Sequence, residues 1–446
     1  MTDLTQGQPF VVERVRLTGN GVDFTAQLVT VGWRRPSGRW RRLFVPVLPV
    51  ALVLSPLLVL VVPAGLIACQ IIFGVPAVEA LRGAGRLVRI FATWLRTRWI
   101  RGRRRDSDGS DTALSPPTGQ ARTMQQRAIV IGATGHIGTY LVPRLVRAGY
   151  DVVAMSRGER AAYHESPEWR SVQRVQVDRE AEDAAGTFGE RVAALNPDVV
   201  VDLICFTARS ARQLVDALRP TKPLLVHCGT IWVHGRVGPV PVTEDEPRTA
   251  YGEYGTNKAA IEEMLRRETR AGGVPSVVLH PGHISGPGWR PINPQGNLDL
   301  SVWEKLATGE PLALPALGLG VLNHVHADDV AQAFERAITR PAAVGSSFHV
   351  VAEQSMTCRG LAEGAARWFG RDAVLDLVDW PEFARRTDPD QAAATKDHID
   401  RSITASIARA REVLGYAPRY SSLETLHESV RWLAANGELE VGGQNF

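Results

Sequence analysis

Cysteine is scarce in this sequence, with four residues in 446, and their spacing shows no metal-binding or disulfide pattern. None of Cys69, Cys205, Cys228 and Cys358 forms a Cys-x-x-Cys pair. The pattern therefore argues against a structural zinc site and against a disulfide scaffold, and it suits a reducing compartment.

A large excess of charge of one sign is also absent, because 51 basic and 47 acidic residues leave a formal net charge of +4. Hydrophobic residues make up 44% and charged residues 22%, the proportions of an ordinary globular chain. These values exclude a disordered tail, a collagen-like chain and a polytopic channel. At about 150 residues per domain, the length predicts two or three domains.

The small net charge hides an uneven distribution along the chain. Residues 1–122 contain 17 arginines, no lysine and seven acidic residues, a net charge of +10, whereas the remainder carries −6. A basic segment of this kind indicates contact with nucleic acid or with an anionic membrane surface.

A long uncharged run inside the basic part favours the membrane. The 36 residues from Leu43 to Val78 carry no charge and are mainly Leu, Val, Ile and Ala. Because about 20 apolar residues span a bilayer as a helix, the run is long for one span and short for two. Prolines within it and arginines on both sides favour a hairpin whose ends both stay in the cytoplasm. A single tilted span and a buried hairpin of a soluble domain are the alternatives.

The segments around this run complete the N-terminal organisation. Residues 1–42 alternate apolar and polar side chains around Gly19-Asn20-Gly21, which predicts a small β-hairpin with a basic flank, ahead of an apolar segment at 43–80. Residues 81–124 predict a basic amphipathic helix that suits an anionic headgroup layer, followed by a polar linker. A helix packed on the second domain is the alternative. An enzyme domain is then expected at 125–446.

A dinucleotide-binding pattern opens that domain. A short apolar strand at 128–131 is followed by Gly132-Ala133-Thr134-Gly135-His136-Ile137-Gly138 and then by a helical pattern. In this context Gly132 permits a tight turn, Gly135 lets the backbone approach the pyrophosphate, and Gly138 permits close helix packing. Thr134, His136 and Ile137 belong to the same predicted cofactor site. A purely structural glycine-rich turn is the alternative.

The end of the second strand bears on the choice of cofactor. NAD enzymes usually place an acidic residue there to bind the ribose hydroxyls, but this chain has Ser156 and Arg157. A guanidinium suits a 2′-phosphate, so NADP is preferred and NAD stays possible. Alternatively, Arg157 points into solvent.

A third group of residues suggests proton transfer. Tyr254 and Lys258 are four residues apart on a predicted helix and therefore share a face. An ammonium group lowers the pKa of a nearby phenol, which can then exchange protons with a substrate alcohol or ketone. Thr230, at a strand end, can bind the same substrate oxygen. The chain has four lysines and 47 arginines, so the choice of lysine at position 258 is informative.

Together these residues resemble the extended short-chain dehydrogenase/reductase family, also called the NAD-dependent epimerase/dehydratase family, over about residues 126–435. The resemblance rests on GATGHIG at 132–138, Asp178 after the third strand, Thr230 with Val233-His234-Gly235, YGTNKAA at 254–260, His280-Pro281-Gly282 with Gly286-Pro287-Gly288, and Val325-His326-Ala327-Asp328-Asp329-Val330.

The resemblance implies an α/β fold in which a Rossmann doubly wound parallel sheet is followed by a smaller C-terminal substrate lobe. It also implies that Tyr254 is the acid/base, that Lys258 lowers its pKa and that Thr230 binds the substrate hydroxyl. Asp178 would contact the adenine, and Pro281 would lie near the nicotinamide. A homodimer is a further implication.

Some positions depart from the family pattern. Ile231 and Trp232 replace the Asp-Glu pair of sugar-nucleotide 4,6-dehydratases, which argues against dehydration, and His234 and His283 place nucleotide-sugar recognition in doubt. The residues after the fourth strand, Asp202 to Phe206, are bulkier than usual. His324 and His326 have the spacing His-x-His, which individually hydrogen-bonded histidines explain better than a metal site does. Within the substrate lobe, the pattern predicts helices over 357–370 and 402–414.

The sequence therefore predicts a membrane-tethered NAD(P)-dependent oxidoreductase or epimerase with its catalytic domain in the cytoplasm. Its substrate would be a secondary alcohol or ketone, either sugar-derived or lipid-linked. A non-catalytic NADP(H)-binding sensor or scaffold is the second hypothesis. The −6 charge of the enzyme part argues against a nucleic-acid partner there.

Overall fold

The computed structural model describes residues 125–236 and 238–441, together with the backbone of three strands in the N-terminal part. The chain separates into two units, residues 1–119 and residues 120–446. Apart from two positions in the third strand, the predicted apolar segment at 43–80 lies outside the described residues, as do the predicted helix and linker at 81–124.

The N-terminal strands form an antiparallel sheet of their own. They are β1 (Phe10–Gly19), β2 (Val22–Arg34) and β3 (Trp40–Phe44), in the order β1-β2-β3. The register places Gly19 opposite Val22 and Arg34 opposite Trp40. Across the part of the chain that the structure describes, no helix combines the length and the apolar character needed to cross a membrane.

The second unit begins with alternating strands and helices. They are β4 (Arg127–Ile131), α1 (His136–Arg147), β5 (Asp151–Ser156), β6 (Gln173–Gln176), α2 (Arg179–Ala185), α3 (Phe188–Ala193), β7 (Val199–Asp202), α4 (Ala208–Leu218), β8 (Leu224–Cys228), α5 (Gly252–Arg270) and β9 (Ser276–Pro281).

The elements that follow build the rest of the sheet and a smaller lobe. They are β10 (His283–Ser285), α6 (Ser301–Thr308), β11 (Leu312–Pro315), β12 (Val321–Leu322), β13 (His324–His326), α7 (Ala327–Ile338), β14 (Ser347–Val350), β15 (Met356–Thr357), α8 (Cys358–Trp368), β16 (Leu375–Val378), α9 (Trp380–Arg386), α10 (Pro389–Ile399) and α11 (Ser422–Ala435).

A seven-stranded parallel sheet organises residues 127–350, in the order β14-β9-β8-β7-β4-β5-β6. Its central strands are short Val- and Ile-rich runs without alternation, as expected where helices cover both faces. The order reverses direction between β4 and β7, and in open sheets of this kind ligands bind beyond the carboxyl ends of the strands at such a point.

Hydrophobic cores lie on both faces of this sheet. Helices α1 and α7 pack on one face, and α3, α4 and α5 pack on the other. A further core joins α6, β11, α8 and α11 into the smaller lobe. The Rossmann-like α/β fold expected from the sequence is thus confirmed.

The segment at 402–414 differs from its predicted helix. Val242 forms an isolated parallel bridge with Ala405, donating its N–H to the carbonyl of Thr404 at 2.7 Å and accepting from the N–H of Ser406 at 2.8 Å. Only the end of the segment is helical, closing with a π-helix at Ala410–Leu414. Long-range pairing with the backbone at Val242 therefore overrides the local helical pattern.

Candidate functional site

The glycine motif forms a tight connection between β4 and α1. Gly132 has a φ of +86°, and its N–H donates to the carbonyl of Met155 on β5 at 2.9 Å. A Cβ at Gly138 would lie 2.3 Å from the carbonyl oxygen of Ala133, so only glycine allows α1 to start this close to the turn. Gly135 precedes α1, whose first turn contains no acidic residue, and the free N–H groups there can receive an anion.

A cavity of about 800 Å³ opens at this connection. Gly132, Thr134 and Gly135 line it, and so do Ser156, Arg157 and Asp178. The cavity therefore brings six of the predicted cofactor residues together. His136, Ile137 and Gly138 are buried in the first turn of α1, behind this wall, and Pro281 is buried at the end of β9.

The residues present fit a dinucleotide. The glycine cradle has no room for a Cβ at Gly138, and the first turn of α1 would hold the pyrophosphate. The side chain of Arg157 is 58% exposed and pairs with Glu159 at 3.1 Å. Because this ion pair is exposed, the guanidinium can exchange Glu159 for a phosphate of the cofactor. Arg160 also lines the cavity. Asp178 caps α2 by accepting from the N–H of Ala181 at 3.1 Å.

A buried ion pair supports another wall of the cavity. Arg179 pairs with Asp202 at the end of β7, and its guanidinium also donates to the hydroxyl of Ser210 at 3.0 Å. Burial disfavours ionisation of Asp202, but the guanidinium outweighs this and lowers the pKa of the carboxyl. Arg179 carries no motif signal in the sequence, since Asp202 and Ser210 lie 23 and 31 residues away from it.

The predicted catalytic residues meet where β8 ends and α5 begins. The hydroxyl of Thr230 accepts from the N–H of Trp232 at 3.3 Å. Lys258 is 1% exposed, and its Nζ donates to the carbonyls of Cys205 at 2.8 Å and Cys228 at 2.7 Å. That Nζ lies 5.8 Å from the centre of the Tyr254 ring.

The electrostatics of this group are dominated by desolvation. Although Tyr254 is 41% exposed, burial of its phenol and the nearby Cys228 raise its pKa to about 12, and a hydrogen bond with the side chain of Thr230 offsets part of the rise. Burial also lowers the pKa of Lys258, against the opposing effects of Cys228, Cys205 and Asp202. That Lys258 lowers the pKa of the phenol stays a prediction.

Aromatic rings flank Tyr254. Phe206 is 52% exposed, lines the cofactor cavity and lies 4.9 Å from the Nζ of Lys258, so it connects that cavity with the catalytic group. The ring of Trp232 meets that of Tyr254 edge-on, with centroids 5.9 Å apart. The guanidinium of Arg401 lies 3.9 Å from the Trp232 ring and 3.9 Å from that of Tyr251, which holds Trp232 in place.

Buried histidines crowd the neighbourhood. His283 lies 5.5 Å from His324 and 5.1 Å from His398, measured between ring centres. Burial lowers the pKa of six of the buried histidines: His136 and His234 to about 3, His324 to about 4, and His227, His283 and His349 well below the usual value. Between 125 and 441, residue 237 aside, no group of three or more His, Cys, Asp or Glu side chains is arranged to hold a metal ion.

Comparisons with known proteins agree with this geometry. The sequence model of the NAD dependent epimerase/dehydratase family matches residues 128–352, about half of the chain. The 2′-dehydrokanamycin reductase of Streptomyces kanamyceticus is 29% identical over 245 residues, covering 55% of this chain and 67% of that protein. The UDP-glucose 4-epimerase of Azospirillum brasilense is 26% identical over 348 residues, covering 71% and 94%.

The fold also resembles solved structures. The crystal structure of UDP-glucose 4-epimerase from Thermotoga maritima with UDP-glucose superposes with a TM-score of 0.54 at 20% identity. The match covers 70% of this chain and 100% of that one. At this identity the likeness concerns the fold.

We expect Gly138→Ala to weaken NADPH binding about 5–150-fold, because the new Cβ must push α1 away from Ala133 at a cost of about 1–3 kcal/mol. Fluorescence titration with NADPH measures this. Gly238→Ala is the matched control, since a Cβ there meets nothing within 4 Å. Equal affinities of the two variants would contradict the glycine cradle.

Proposed function

The chain belongs to the NAD dependent epimerase/dehydratase family, and we propose that it is an NADP(H)-dependent oxidoreductase that interconverts a secondary alcohol and a ketone on a sugar-derived substrate. The observation that carries this proposal is the convergence of Thr230, Tyr254 and Lys258 beside the glycine cradle. Relatives that act on sugars, a 2′-dehydrokanamycin reductase and UDP-glucose 4-epimerases, support the substrate class.

In this mechanism the nicotinamide cofactor supplies or accepts the hydride. Thr230 and Tyr254 bind the substrate oxygen through their hydroxyls. During reduction, Tyr254 gives its proton to the oxygen of the former carbonyl, and during oxidation it takes a proton from the alcohol. The ammonium of Lys258 stabilises the phenolate that forms when the proton has left. The carbonyls of Cys205 and Cys228 fix that ammonium in place.

We propose net oxidoreduction rather than epimerisation because of the pair of aromatic rings that flank Tyr254. An epimerase must let its oxidised sugar turn over within the cleft before hydride returns to the opposite face. Here Phe206 and Trp232 flank the Tyr254 ring, and Arg401 fixes Trp232 from behind. Net oxidoreduction consumes the cofactor stoichiometrically with product, whereas epimerisation leaves its redox state unchanged.

We expect Tyr254→Phe to lower kcat on a keto-sugar by about 10²–10⁴-fold with NADPH affinity retained, because only the proton donor is lost. The measurement is NADPH oxidation with whichever member of a keto-sugar panel the native chain reduces. Tyr150→Phe, outside the site, is the control. Full turnover by Tyr254→Phe would refute the assigned role. A native chain that binds NADPH but reduces nothing would favour the non-catalytic sensor instead.

The proposed preference for NADP is supported by Arg157 and Arg160, which both line the cavity. Arg157→Ala should weaken NADPH binding about 10–150-fold and leave NADH binding nearly unchanged, since an ion pair with the 2′-phosphate is worth about 1.5–3 kcal/mol. Competitive titration with both cofactors tests this. Arg170→Ala, at an exposed position outside the cavity wall, is the control. An equal loss for both cofactors would overturn the preference.

We further propose that the apolar run at 43–78 tethers the enzyme to a membrane, with the catalytic unit in the cytoplasm. The absence of charge over 36 residues and the arginines on both sides support this. A tether would suit an amphiphilic, lipid-linked substrate. The homodimer implied by the family resemblance stays a prediction.

Extraction of full-length protein from membranes tests the tether. The native chain should stay in the membrane fraction after alkaline carbonate washing. The variant Leu57→Asp with Leu60→Asp should be released, because each aspartate costs about 2.5–3.5 kcal/mol at the centre of a span. Thr112→Asp with Ser115→Asp, in the polar linker, is the matched control. Release of the native chain by salt alone would refute an inserted segment.

A further inference from the structure

A buried polar chain ties the end of β8 to α5. The backbone N–H of Thr230 donates to Nδ1 of His280 on β9 at 3.0 Å. On the other side of the ring, Nε2 of His280 lies 3.3 Å from Oε2 of Glu262 on α5. His280 is fully buried, and Glu262 nearly so. Because Nδ1 accepts a hydrogen bond, the ring carries its proton on Nε2, facing the carboxylate.

The ring of His280 sits directly against the backbone that carries Thr230. A Cβ at Gly229 would lie 2.3 Å from Nδ1 of His280, so glycine at position 229 leaves the space for the ring. The N–H of Gly229 also donates to the carbonyl of Leu279, the residue before His280. The imidazole of His280 therefore packs directly against the Gly229-Thr230 backbone.

Glu262 is held rigidly from its other side. Arg248 donates to both of its carboxylate oxygens, at 2.8 and 2.6 Å, and Arg266 donates to one of them at 2.8 Å. Burial disfavours ionisation of Glu262, but His280 and Arg248 outweigh it and lower the pKa of the carboxyl. An anion fixed by two guanidinium groups gives the imidazole one preferred orientation.

Because Glu262 lies on α5, the buried polar chain is connected to the helix that carries Tyr254 and Lys258. Tyr254, Lys258 and Glu262 follow one another at four-residue spacing and so share a face of the helix. Lys258 ties that face to the carbonyl of Cys228, and Glu262 ties it through His280 to the N–H of Thr230. The two links hold the end of β8 against the helix at successive turns.

We propose that His280 is a positioning residue, which sets the hydroxyl of Thr230 relative to the phenol of Tyr254 by holding the backbone N–H of Thr230. This inference rests on the proposed oxidoreductase function. His280 touches no reacting atom; it acts through the main chain of the residue that binds the substrate oxygen. A misplacement of about 1 Å in such a group can cost about 100-fold in rate.

Two substitutions separate the hydrogen bond at Nδ1 of His280 from the contact of its Nε2 with Glu262. His280→Asn keeps an acceptor near the Nδ1 position and loses the reach to Glu262. His280→Gln keeps a donor towards Glu262 and loses the acceptor for Thr230. His349→Gln is the control for losing a buried histidine, since His349 bonds to His234 and to the carbonyl of Ser406 instead.

The first readout is kinetic. For the keto-sugar that the native chain reduces, we expect His280→Gln to lower kcat about 10–100-fold. NADPH affinity should change less than about twofold, because the cofactor cavity is untouched. His280→Asn should recover most of kcat, and His349→Gln should lower the unfolding temperature without a comparable loss of kcat. If Gln and Asn lower kcat equally, the contact to Thr230 has no positioning role.

The second readout does not need turnover. Hydrogen exchange of the Thr230 amide, followed by mass spectrometry of the full chain, should accelerate in His280→Gln and stay slow in His280→Asn. Unchanged protection in His280→Gln overturns the proposal. If the exchange pattern appears but the native chain reduces no ketone, the contact is real and the proposed oxidoreductase function has failed, so the two failures are distinguishable.

Discussion

The site depends on the burial of one ammonium group. Removing Lys258 from water carries a large desolvation penalty, which the chain offsets with the carbonyls of Cys205 and Cys228. These carbonyls lie beyond the carboxyl ends of β7 and β8, so the lysine can be satisfied only where the two strands end side by side. The same contact fixes the rotation of α5 about its axis and therefore sets where Tyr254 stands. Strand order, helix position and catalytic geometry thus depend on a single buried cation.

The two ends of the ligand region differ in chemistry. At the cofactor end, backbone N–H groups and exposed guanidinium groups suit phosphates, whereas the rings of Phe206 and Trp232 flank Tyr254, and the imidazole of His398 lies against Trp232. Aromatic faces suit the C–H surfaces of a sugar ring, and imidazoles offer it uncharged hydrogen-bonding groups. Arg401 stacks between rings and pairs with Asp397, so its charge is already engaged.

Local patterns made part of this structure predictable. The spacing of Gly132, Gly135 and Gly138 made the glycine motif recognisable, because the tight turn, the close approach to the pyrophosphate and the start of α1 all fall within seven residues. The strand that ends at Ser156 was likewise visible as a short apolar run, whereas the strand before Asp178 is mainly polar and was indicated by interspersed valines. The bridge at Val242 and Ala405 was not, since its hydrogen bonds join backbones 163 residues apart in the chain and overrule a local helical pattern. Arg179 and Arg401 show the same limit, because the side chains that give them their roles, Asp202 for Arg179 and Trp232 for Arg401, are distant in sequence.

The crowd of buried, uncharged histidines has a thermodynamic consequence for the whole fold. In the unfolded chain each imidazole takes up a proton near pH 6.5, whereas in the folded chain His136, His234 and His324 resist protonation down to about pH 3 or 4. The unfolded state therefore binds more protons below pH 6.5, and each such histidine removes up to about 1.4 kcal/mol of folding free energy per pH unit. The free energy of unfolding is therefore unaffected by these histidines above pH 6.5, and it falls as the pH is lowered below that value. The buried histidines thus make the folded enzyme less stable in acid. They do not lower its stability in alkali, because there the imidazoles are neutral in both the folded and the unfolded chain.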